Sequence, residues 1–246
     1  MYYIGIDIGS TSAKTAVFSD QASDICYHSV TPTGWSSVET AGRIKDQLIA
    51  AGIDPEVSKV VATGYGRVSV PYANKTLTEI TCHAKGAVWL FRDNCTVIDI
   101  GGQDTKIIKI RNGQITDFLM NDKCSAGTGR FLEVMSNTLG VSIDEMFQLA
   151  AKGSRVTISS MCTVFAETEV ISLIGCGTSK EDIAFGILES ITGKVVSIAG
   201  KCQEDQIYYL TGGLCDSEYI RSTLSRRLSA EVHSSSLARW AGAIGA

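Results

Sequence analysis

The stretch "IDIGSTSAK", residues 6–14, returns almost unchanged as "IDIGGQDTK", residues 98–106, and the fold prediction rests on this repeat. Both copies keep Ile-Asp-Ile-Gly at the start and lysine at the end, so aspartate, glycine and lysine have equal offsets. Each copy follows a β-prone apolar run and leads into another. Such runs on both sides of a short polar turn predict a β-hairpin. The chain is therefore predicted to contain two hairpins of similar design.

The tips of the two hairpins carry groups that suit the phosphates of a nucleotide. Glycine lets backbone N–H groups approach an anion closely, serine and threonine add hydroxyl donors, and a strand-end aspartate suits Mg²⁺ held through water. An aspartate that caps a strand would explain one copy without a ligand, but two matched copies favour a shared binding role. The candidate contacts are Asp7, Gly9, Ser10, Thr11, Ser12, Lys14, Asp99, Gly101, Gly102, Gln103, Thr105 and Lys106.

The glycine patterns of two common nucleotide-binding folds are missing. The chain has no G-x-x-x-x-G-K-[ST] loop, and no G-x-G-x-x-G follows the first strand. Paired phosphate hairpins instead resemble those of the actin, sugar-kinase and Hsp70 superfamily of ATPases. This resemblance implies an α/β fold with two duplicated domains around a nucleotide cleft.

Further segments resemble the same superfamily. "YLTGGL", residues 209–214, is similar to its adenosine motif, which assigns Thr211, Gly212 and Gly213 to the nucleotide. "TEITCHAKGA", residues 78–87, and "RWAGAIGA", residues 239–246, are similar to its two connecting helices. Their small residues would let two helices cross closely, although an ordinary Ala/Gly-rich helix would explain either segment alone. These small residues are Ala84, Gly86, Ala241, Gly242 and Ala246.

The connecting helices imply a division of the chain. Domain I would comprise residues 1–70 plus 235–246, and domain II would comprise residues 71–234, with the nucleotide between them. Within domain I, the segment "VETAGRIKDQLIAA" predicts a helix over residues 38–51 that ends at Gly52.

Composition excludes several other classes of protein. With 246 residues, 44% hydrophobic and 20% charged, the chain can bury a core. The net charge of −4 and the lack of a Lys/Arg run argue against a nucleic-acid surface. We see no signal peptide and no apolar run long enough to span a membrane. A cytoplasmic protein that binds neither nucleic acid nor membrane is expected.

The chain has eight cysteines and no C-x-x-C pair. A disulfide scaffold is not favoured without a secretion signal, and the close ligand spacing of a zinc ribbon or ferredoxin-type cluster is missing. Spacing alone therefore identifies no metal site, and most of the thiols are expected to be small buried hydrophobes.

Two of the cysteines share a context. Cys124 precedes a glycine turn and an amphipathic pattern with Phe131, Leu132, Met135 and Leu139 on one face, and Cys162 precedes a helical pattern for which Thr163 is a candidate cap. Near a helix N-terminus the dipole and free N–H groups favour a thiolate by about 0.3–1 kcal/mol. Two buried thiols at helix starts remain the alternative on these grounds.

The longer motifs narrow the resemblance to one family. "VATGYGR" (61–67), "MNDKCSAGTGRFLEVM" (120–135) and "ISSMCTVFAETEVIS" (158–172) resemble, in order, the activators of 2-hydroxyacyl-CoA dehydratases, called component A or archerases. ATPase subunits of benzoyl-CoA reductase and reductases of double-cubane-cluster proteins are related to these activators.

The resemblance implies an ATPase coupled to one-electron transfer. It assigns Cys124 and Cys162 as ligands of one [4Fe–4S] cluster at the interface of a homodimer, because two chains then supply the usual four thiolates. It also implies ATP/ADP and Mg²⁺ as cofactors, with Gly127 among the nucleotide contacts. The other six cysteines are interpreted as structural; they are Cys26, Cys82, Cys95, Cys176, Cys202 and Cys215.

The same family implies the partners of the reaction. A ferredoxin or flavodoxin would supply the electron, and a 2-hydroxyacyl-CoA dehydratase or a double-cubane-cluster protein would receive it. Candidates that orient the hydrolytic water are Glu79, Gln103 and Asp104. Two alternatives stay open: a small-molecule kinase of the same superfamily, and a non-catalytic redox or nucleotide sensor.

Overall fold

The computed structural model describes residues 1–20, 24–91, 94–159, 162–200 and 207–246. Contacts between residues group the chain into two compact units. Unit 1 comprises Met1–Val97, Ile108–Asp117 and Ser235–Ala246, and unit 2 comprises Ile98–Ile107 and Phe118–Ser234. The domain boundaries inferred from the sequence stay a prediction.

The elements in these ranges alternate between strands and helices. The strands are β1 (Tyr2–Ile8), β2 (Ser12–Ser19), β3 (Ile25–Pro32), β4 (Lys59–Thr63), β5 (Lys75–Thr76), β6 (Cys95–Ile100), β7 (Thr105–Arg111), β8 (Gln114–Asn121), β9 (Ile207–Gly212) and β10 (Glu231–His233). The α-helices are α1 (Ser37–Ala50), α2 (Glu79–Phe91), α3 (Gly129–Leu139), α4 (Ile143–Ala150), α5 (Thr163–Gly175), α6 (Lys180–Ala199), α7 (Glu218–Leu228) and α8 (Ala241–Ile244). None of the helices in the described ranges is long and apolar enough to cross a bilayer.

The first sheet has the strand order β3-β2-β1-β4-β5 and belongs to unit 1. β1 and β2 pair in antiparallel register with Asp7 opposite Lys14, which confirms the first predicted hairpin. Ile6 and Ile8 of β1 are buried in one cluster with Ile44 and Leu48 of α1. The sheet is therefore held against α1 by an apolar layer.

α1 confirms the helix predicted over residues 38–51. Ser36 caps its start by accepting a hydrogen bond from the Glu39 N–H at 3.2 Å. Gly52 follows its end with φ +78°, a left-handed conformation that glycine adopts without strain.

Small residues let α2 and α8 approach each other within unit 1, as predicted. A Cβ atom at Gly86 would overlap the Ala241 carbonyl oxygen, and one at Gly245 would overlap the Cys82 carbonyl oxygen. Backbone therefore packs on backbone where the helices cross. The second of these helices is short, because α8 is four residues long and follows a 3₁₀ turn at Ala238–Trp240.

The second sheet has the strand order β10-β9-β6-β7-β8. In unit 2, α3 buries Phe131, Leu132, Met135 and Leu139, which confirms the predicted amphipathic helix. The helix ends at Gly140, which has φ +66°.

The close crossing of α2 and α8 gives a stability prediction. We expect Gly86→Ala to lower the free energy of unfolding by about 1–3 kcal/mol, because the added methyl group overpacks the contact with Ala241. The matched control is Gly42→Ala, since Gly42 is also inside a helix and a Cβ atom there meets nothing within 4 Å. Gly42→Ala should be neutral or stabilising, by up to about 1 kcal/mol. Urea denaturation of both variants measures the difference between their free energies of unfolding. Equal denaturation midpoints would contradict the close contact between α2 and α8.

Candidate functional site

The tip of the first hairpin is pinned to the loop that precedes α1. The Thr33 hydroxyl donates to the Gly9 carbonyl at 2.7 Å, and the Thr33 N–H donates to the Thr11 carbonyl at 3.0 Å. The half-buried Lys14 donates from Nζ to the Ser12 carbonyl at 3.2 Å, so its ammonium lies at the tip. Ser10 is also half-buried and Thr11 is exposed. The candidate phosphate contacts of the first copy are therefore gathered on one turn.

The Asp7 carboxylate lies between two glycines in unit 1. A Cβ atom at Gly64 would lie 2.5 Å from Asp7 Oδ1, and one at Gly242 would overlap Asp7 Oδ2. Asp7 is only 4% exposed. The glycines of "VATGYGR" and "RWAGAIGA" thus let their backbone pack closely against this carboxylate.

His83, which the sequence analysis did not single out, lies near this carboxylate and near Glu79. Glu79 is one of the residues predicted to orient the hydrolytic water. His83 Nε2 lies 3.8 Å from Asp7 Oδ2 and 3.8 Å from Glu79 Oε1. Both distances are longer than a hydrogen bond. The sequence contained one signal for the pairing of His83 with Glu79: the two residues are four positions apart, which places them on the same face of a helix.

The second hairpin holds its lysine in a different environment. Lys106 is 1% exposed and its Nζ lies 2.7 Å from Asp104 Oδ1 and 3.4 Å from Asp99 Oδ2. The buried ammonium thus binds two carboxylates of its own hairpin. The candidate Asp104 is one of these carboxylates, whereas the candidate Gln103 is exposed at the tip.

The Thr-Gly-Gly segment is bonded to the second hairpin within unit 2. The Thr211 hydroxyl donates to Asp99 Oδ1 at 2.8 Å, and the Gly213 N–H donates to the Ile100 carbonyl at 3.1 Å. Gly212 has φ +87°, and a Cβ atom there would overlap the Ile100 carbonyl oxygen. The structure therefore brings the predicted adenosine motif and the predicted second phosphate hairpin together.

The glycine turn after Cys124 also rests on the second hairpin. The Gly129 N–H donates to the Gly101 carbonyl at 2.9 Å, and the Arg130 N–H donates to the Gly102 carbonyl at 2.7 Å. The buried Thr105 hydroxyl donates to the Gly127 carbonyl at 2.6 Å. The first turn of α3 is thus attached directly to the tip of the hairpin.

The two cysteine segments meet within unit 2. The hydroxyl oxygens of Ser125 and Thr163, the residues that follow the two cysteines, are 2.8 Å apart and form a hydrogen bond. The Asn121 side-chain amide donates to the Cys124 carbonyl at 2.9 Å and to the Ala126 carbonyl at 3.0 Å, which fixes the first segment. Cys124 is half-buried and Cys162 is exposed.

The helix starts near the cysteines differ from the prediction in one respect. Thr163 is the first residue of α5, and Cys162 itself occupies the N-cap position without a side-chain capping bond. The prediction that Thr163 caps this helix is therefore wrong, because its hydroxyl bonds to Ser125 instead. Cys124 lies four residues before Thr128, the N-cap of α3, so it belongs to the turn rather than to the helix start.

The remaining cysteines in the described ranges differ in their burial. Cys82, Cys95 and Cys215 are buried, and burial raises the pKa of the Cys82 thiol. Cys26 and Cys176 are exposed. The sequence motifs also include residues outside the described ranges, namely Cys202, Ser160 and Met161. Among the described residues, no group of three or more His, Cys, Asp or Glu side chains is placed to hold a metal ion.

Comparison with known proteins identifies the family of the chain. Residues 4–246 match the model of the BadF/BadG/BcrA/BcrD ATPase family. The chain belongs to this family. It is 43% identical to the (R)-2-hydroxyglutaryl-CoA dehydratase activating ATPase of Acidaminococcus fermentans, over 100% of the chain and 95% of that protein. It is 36% identical to the 2-hydroxyisocaproyl-CoA dehydratase activator of Clostridioides difficile, over 100% of the chain and 93% of that protein.

Solved structures confirm the predicted fold class. The crystal structure of component A of the Acidaminococcus fermentans dehydratase superposes with a TM-score of 0.93 at 42% identity, covering 100% of the chain and 96% of that structure. A ROK-family glucokinase from Streptomyces griseus superposes with a TM-score of 0.60 at 14% identity, covering 100% of the chain and 97% of the kinase, which shows the α/β fold alone. The chain therefore has the actin and sugar-kinase type of fold in its activator ATPase form, and the small-molecule kinase alternative is not favoured.

The buried lysine of the second hairpin gives a second prediction. We expect Lys106→Met to lower the free energy of unfolding by about 3–5 kcal/mol, because it leaves two buried carboxylates without their cation. Lys14→Met, at the matching position of the first hairpin, should lower it by less than about 1 kcal/mol, since Lys14 is half-exposed. Urea denaturation measures both losses. Adding Asp104→Asn to Lys106→Met should recover part of the free energy of unfolding that Lys106→Met loses. Equal losses for the two lysines would contradict this difference between the copies.

Proposed function

We propose that this protein hydrolyses ATP in order to deliver single electrons, at low potential, to a 2-hydroxyacyl-CoA dehydratase or a related cluster-containing protein. The observation that carries the proposal is the Ser125–Thr163 hydrogen bond, which joins the segments of Cys124 and Cys162 beside the second hairpin. Membership of an ATPase family whose relatives include dehydratase activators supports it.

The residues around Asp7 fit a Mg²⁺ ion. The carboxylate supplies hard oxygen ligands, which Mg²⁺ prefers, and it lies near the end of β1 beside the hairpin tip. Asp7 would hold the ion through water, and the ion would supply positive charge that neutralises the phosphates.

The other candidate residues bind the rest of the nucleotide. Backbone N–H groups and hydroxyls of residues 9–12 and 101–105 bind phosphate oxygens, and the half-buried Lys14 supplies positive charge. The buried Lys106 holds the second hairpin in shape through Asp99 and Asp104, and residues 211–213 lie against the nucleoside. Gly127 holds its place beside them through its bond to Thr105. Glu79, Gln103 and Asp104 are proposed to orient the water that attacks the terminal phosphate, which yields ADP and phosphate.

The two cysteine segments fit half of an iron–sulfur site. The donor set is two thiolates, one of them at an exposed helix start, and both segments are held together by the Ser125–Thr163 hydrogen bond. A [4Fe–4S] cluster takes four thiolates, so a second copy of the chain supplies Cys124 and Cys162 again across a two-fold axis. Bound there, the cluster would supply one-electron redox chemistry.

Exposed apolar residues beside Cys162 support the homodimer. Val164, Phe165 and Ile171 of α5 are 66%, 67% and 56% exposed. Contiguous exposed apolar side chains mark interaction surfaces, and a second copy of the chain would cover these. The pairing that completes the thiolate set would thus also remove an apolar surface from water.

The electron balance involves two protein partners. A reduced ferredoxin or flavodoxin loses one electron, and an iron–sulfur centre of the dehydratase or double-cubane protein gains it, while ATP and water become ADP and phosphate. The bonds from Gly129 and Arg130 to the hairpin carbonyls give the nucleotide a direct route to the Cys124 turn. This short route favours coupling between hydrolysis and the thiolates.

Metal analysis tests the cysteine assignment. Protein purified without oxygen should contain about four iron and four sulfide per dimer and should be brown. Cys124→Ala and Cys162→Ala should each abolish this content, because each removes two of the four thiolates of the dimer. Cys26→Ala and Cys176→Ala are matched controls at exposed thiols and should keep the cluster. A colourless wild-type protein would sink the cluster proposal.

Phosphate release tests the nucleotide assignment. Asp7→Asn should lower kcat for ATP hydrolysis by about 10²–10³-fold, because the carboxylate charge that holds Mg²⁺ is lost. Asp20→Asn is the control, since Asp20 is an exposed aspartate of the same unit that pairs with the N-terminus. Both variants should keep their iron. Turnover that is absent even with a cluster-containing partner would favour the sensor alternative, and phosphorylation of a metabolite would favour the kinase.

A further inference from the structure

The Ser125–Thr163 hydrogen bond joins two segments that are 38 residues apart in the chain. Each hydroxyl belongs to the residue directly after a cysteine, so the bond ties the backbone at Cys124 to the backbone at Cys162. We call these two residues the hydroxyl pair. The hydroxyls are partly buried, which shields their bond from competition with water.

Both ends of the hydroxyl pair are anchored on rigid structure. On one side, the Thr128 hydroxyl donates to the Ser125 carbonyl at 2.7 Å, and Asn121 bonds the carbonyls on either side of Ser125. On the other side, Thr163 begins α5, a helix of 13 residues. The hydroxyl pair is therefore a direct contact between two anchored segments, made at the cysteines themselves.

Holding α3 against α5 does not require the hydroxyl pair. The Thr138 hydroxyl of α3 donates to Glu167 Oε1 of α5 at 3.1 Å, and Ala166 and Val170 of α5 are buried. These contacts already fix the packing of the two helices. A polar contact placed at the cysteines themselves would be redundant if its role were only to pack the helices.

We propose that Ser125 and Thr163 are positioning residues that hold the Cys124 and Cys162 thiolates of one subunit at the spacing that a single cluster requires. The inference rests on the proposed function, since it concerns the same thiolates. Because α3 is bonded to the hairpin tip through Gly129 and Arg130, the hydroxyl pair makes both thiolate segments follow that tip together.

The test measures how fast iron is lost to a chelator under anaerobic conditions. The variants are Ser125→Ala, Thr163→Val and the double variant, each reconstituted with iron and sulfide. Loss of one hydrogen bond, at about 0.5–1.5 kcal/mol, should speed iron release by about 2- to 13-fold in each single variant. The double variant should be no faster than the faster single variant, because both substitutions remove the same bond.

Conservative and control variants separate positioning from folding. Ser125→Thr and Thr163→Ser keep the hydroxyls and should release iron at the wild-type rate. Thr138→Val removes the α3–α5 hydrogen bond away from the cysteines, and Thr168→Ala removes a hydroxyl that bonds only within α5. Both should keep the wild-type rate and the wild-type electron paramagnetic resonance spectrum of the reduced cluster, whereas the Ser125→Ala and Thr163→Val spectra should change.

Three results would overturn the inference: wild-type release rates in Ser125→Ala and Thr163→Val, multiplying effects in the double variant, or an equal acceleration in Thr138→Val. Melting temperatures measured without the cluster show whether each variant is folded. If Thr163→Val is unfolded, Ser125→Thr and Thr163→Ser still test the inference. A wild-type protein that binds no iron would instead refute the proposed function. A wild-type cluster with unaffected variants would refute only the role of the hydroxyl pair.

Discussion

The buried ammonium of Lys106 organises the second half of the molecule. It lies between Asp99 and Asp104, and the other oxygen of Asp99 accepts from Thr211. Taking these charges out of water is unfavourable unless their geometry is satisfied, so the interaction strongly restricts where β6, β7 and the end of β9 can lie. The hairpin tip that bonds α3 can keep its shape because its base is fixed in this way.

The two copies of the repeat have become different structures. In the first, Asp7 stands between glycines and faces His83, while Lys14 bonds to the Ser12 carbonyl of its own strand. In the second, aspartate and lysine neutralise each other in the interior. The first copy thus keeps a carboxylate suited to a cation, and the second copy supplies a fixed frame. An identical motif can serve two physical roles because burial, not sequence, determines what its charges do.

Local patterns predicted the hairpins, α1 and α3, because strand alternation, turn residues and helix periodicity act over a few neighbouring residues. The contact of His83 with Asp7 and the Ser125–Thr163 bond could not be predicted, since each joins elements that only the tertiary fold brings together. The burial of Lys106 could not be predicted either, because it depends on what packs over the hairpin. In α5, Val170 is buried, whereas Ile171 and Ile174 are exposed. Local spacing alone does not show which apolar residues of a helix are buried.

The bonds between the hairpin tip and α3 are made by main-chain groups, with the carbonyls of Gly101 and Gly102 as acceptors and the N–H groups of Gly129 and Arg130 as donors. A peptide group is present whatever side chain a residue carries. Substitution at Arg130 can therefore alter the surface without breaking the link, whereas Gly129 has little freedom, because a Cβ atom there would lie 3.2 Å from the Gly101 carbonyl oxygen. This connection between the second hairpin and the cysteine turn therefore tolerates extensive change of side chains.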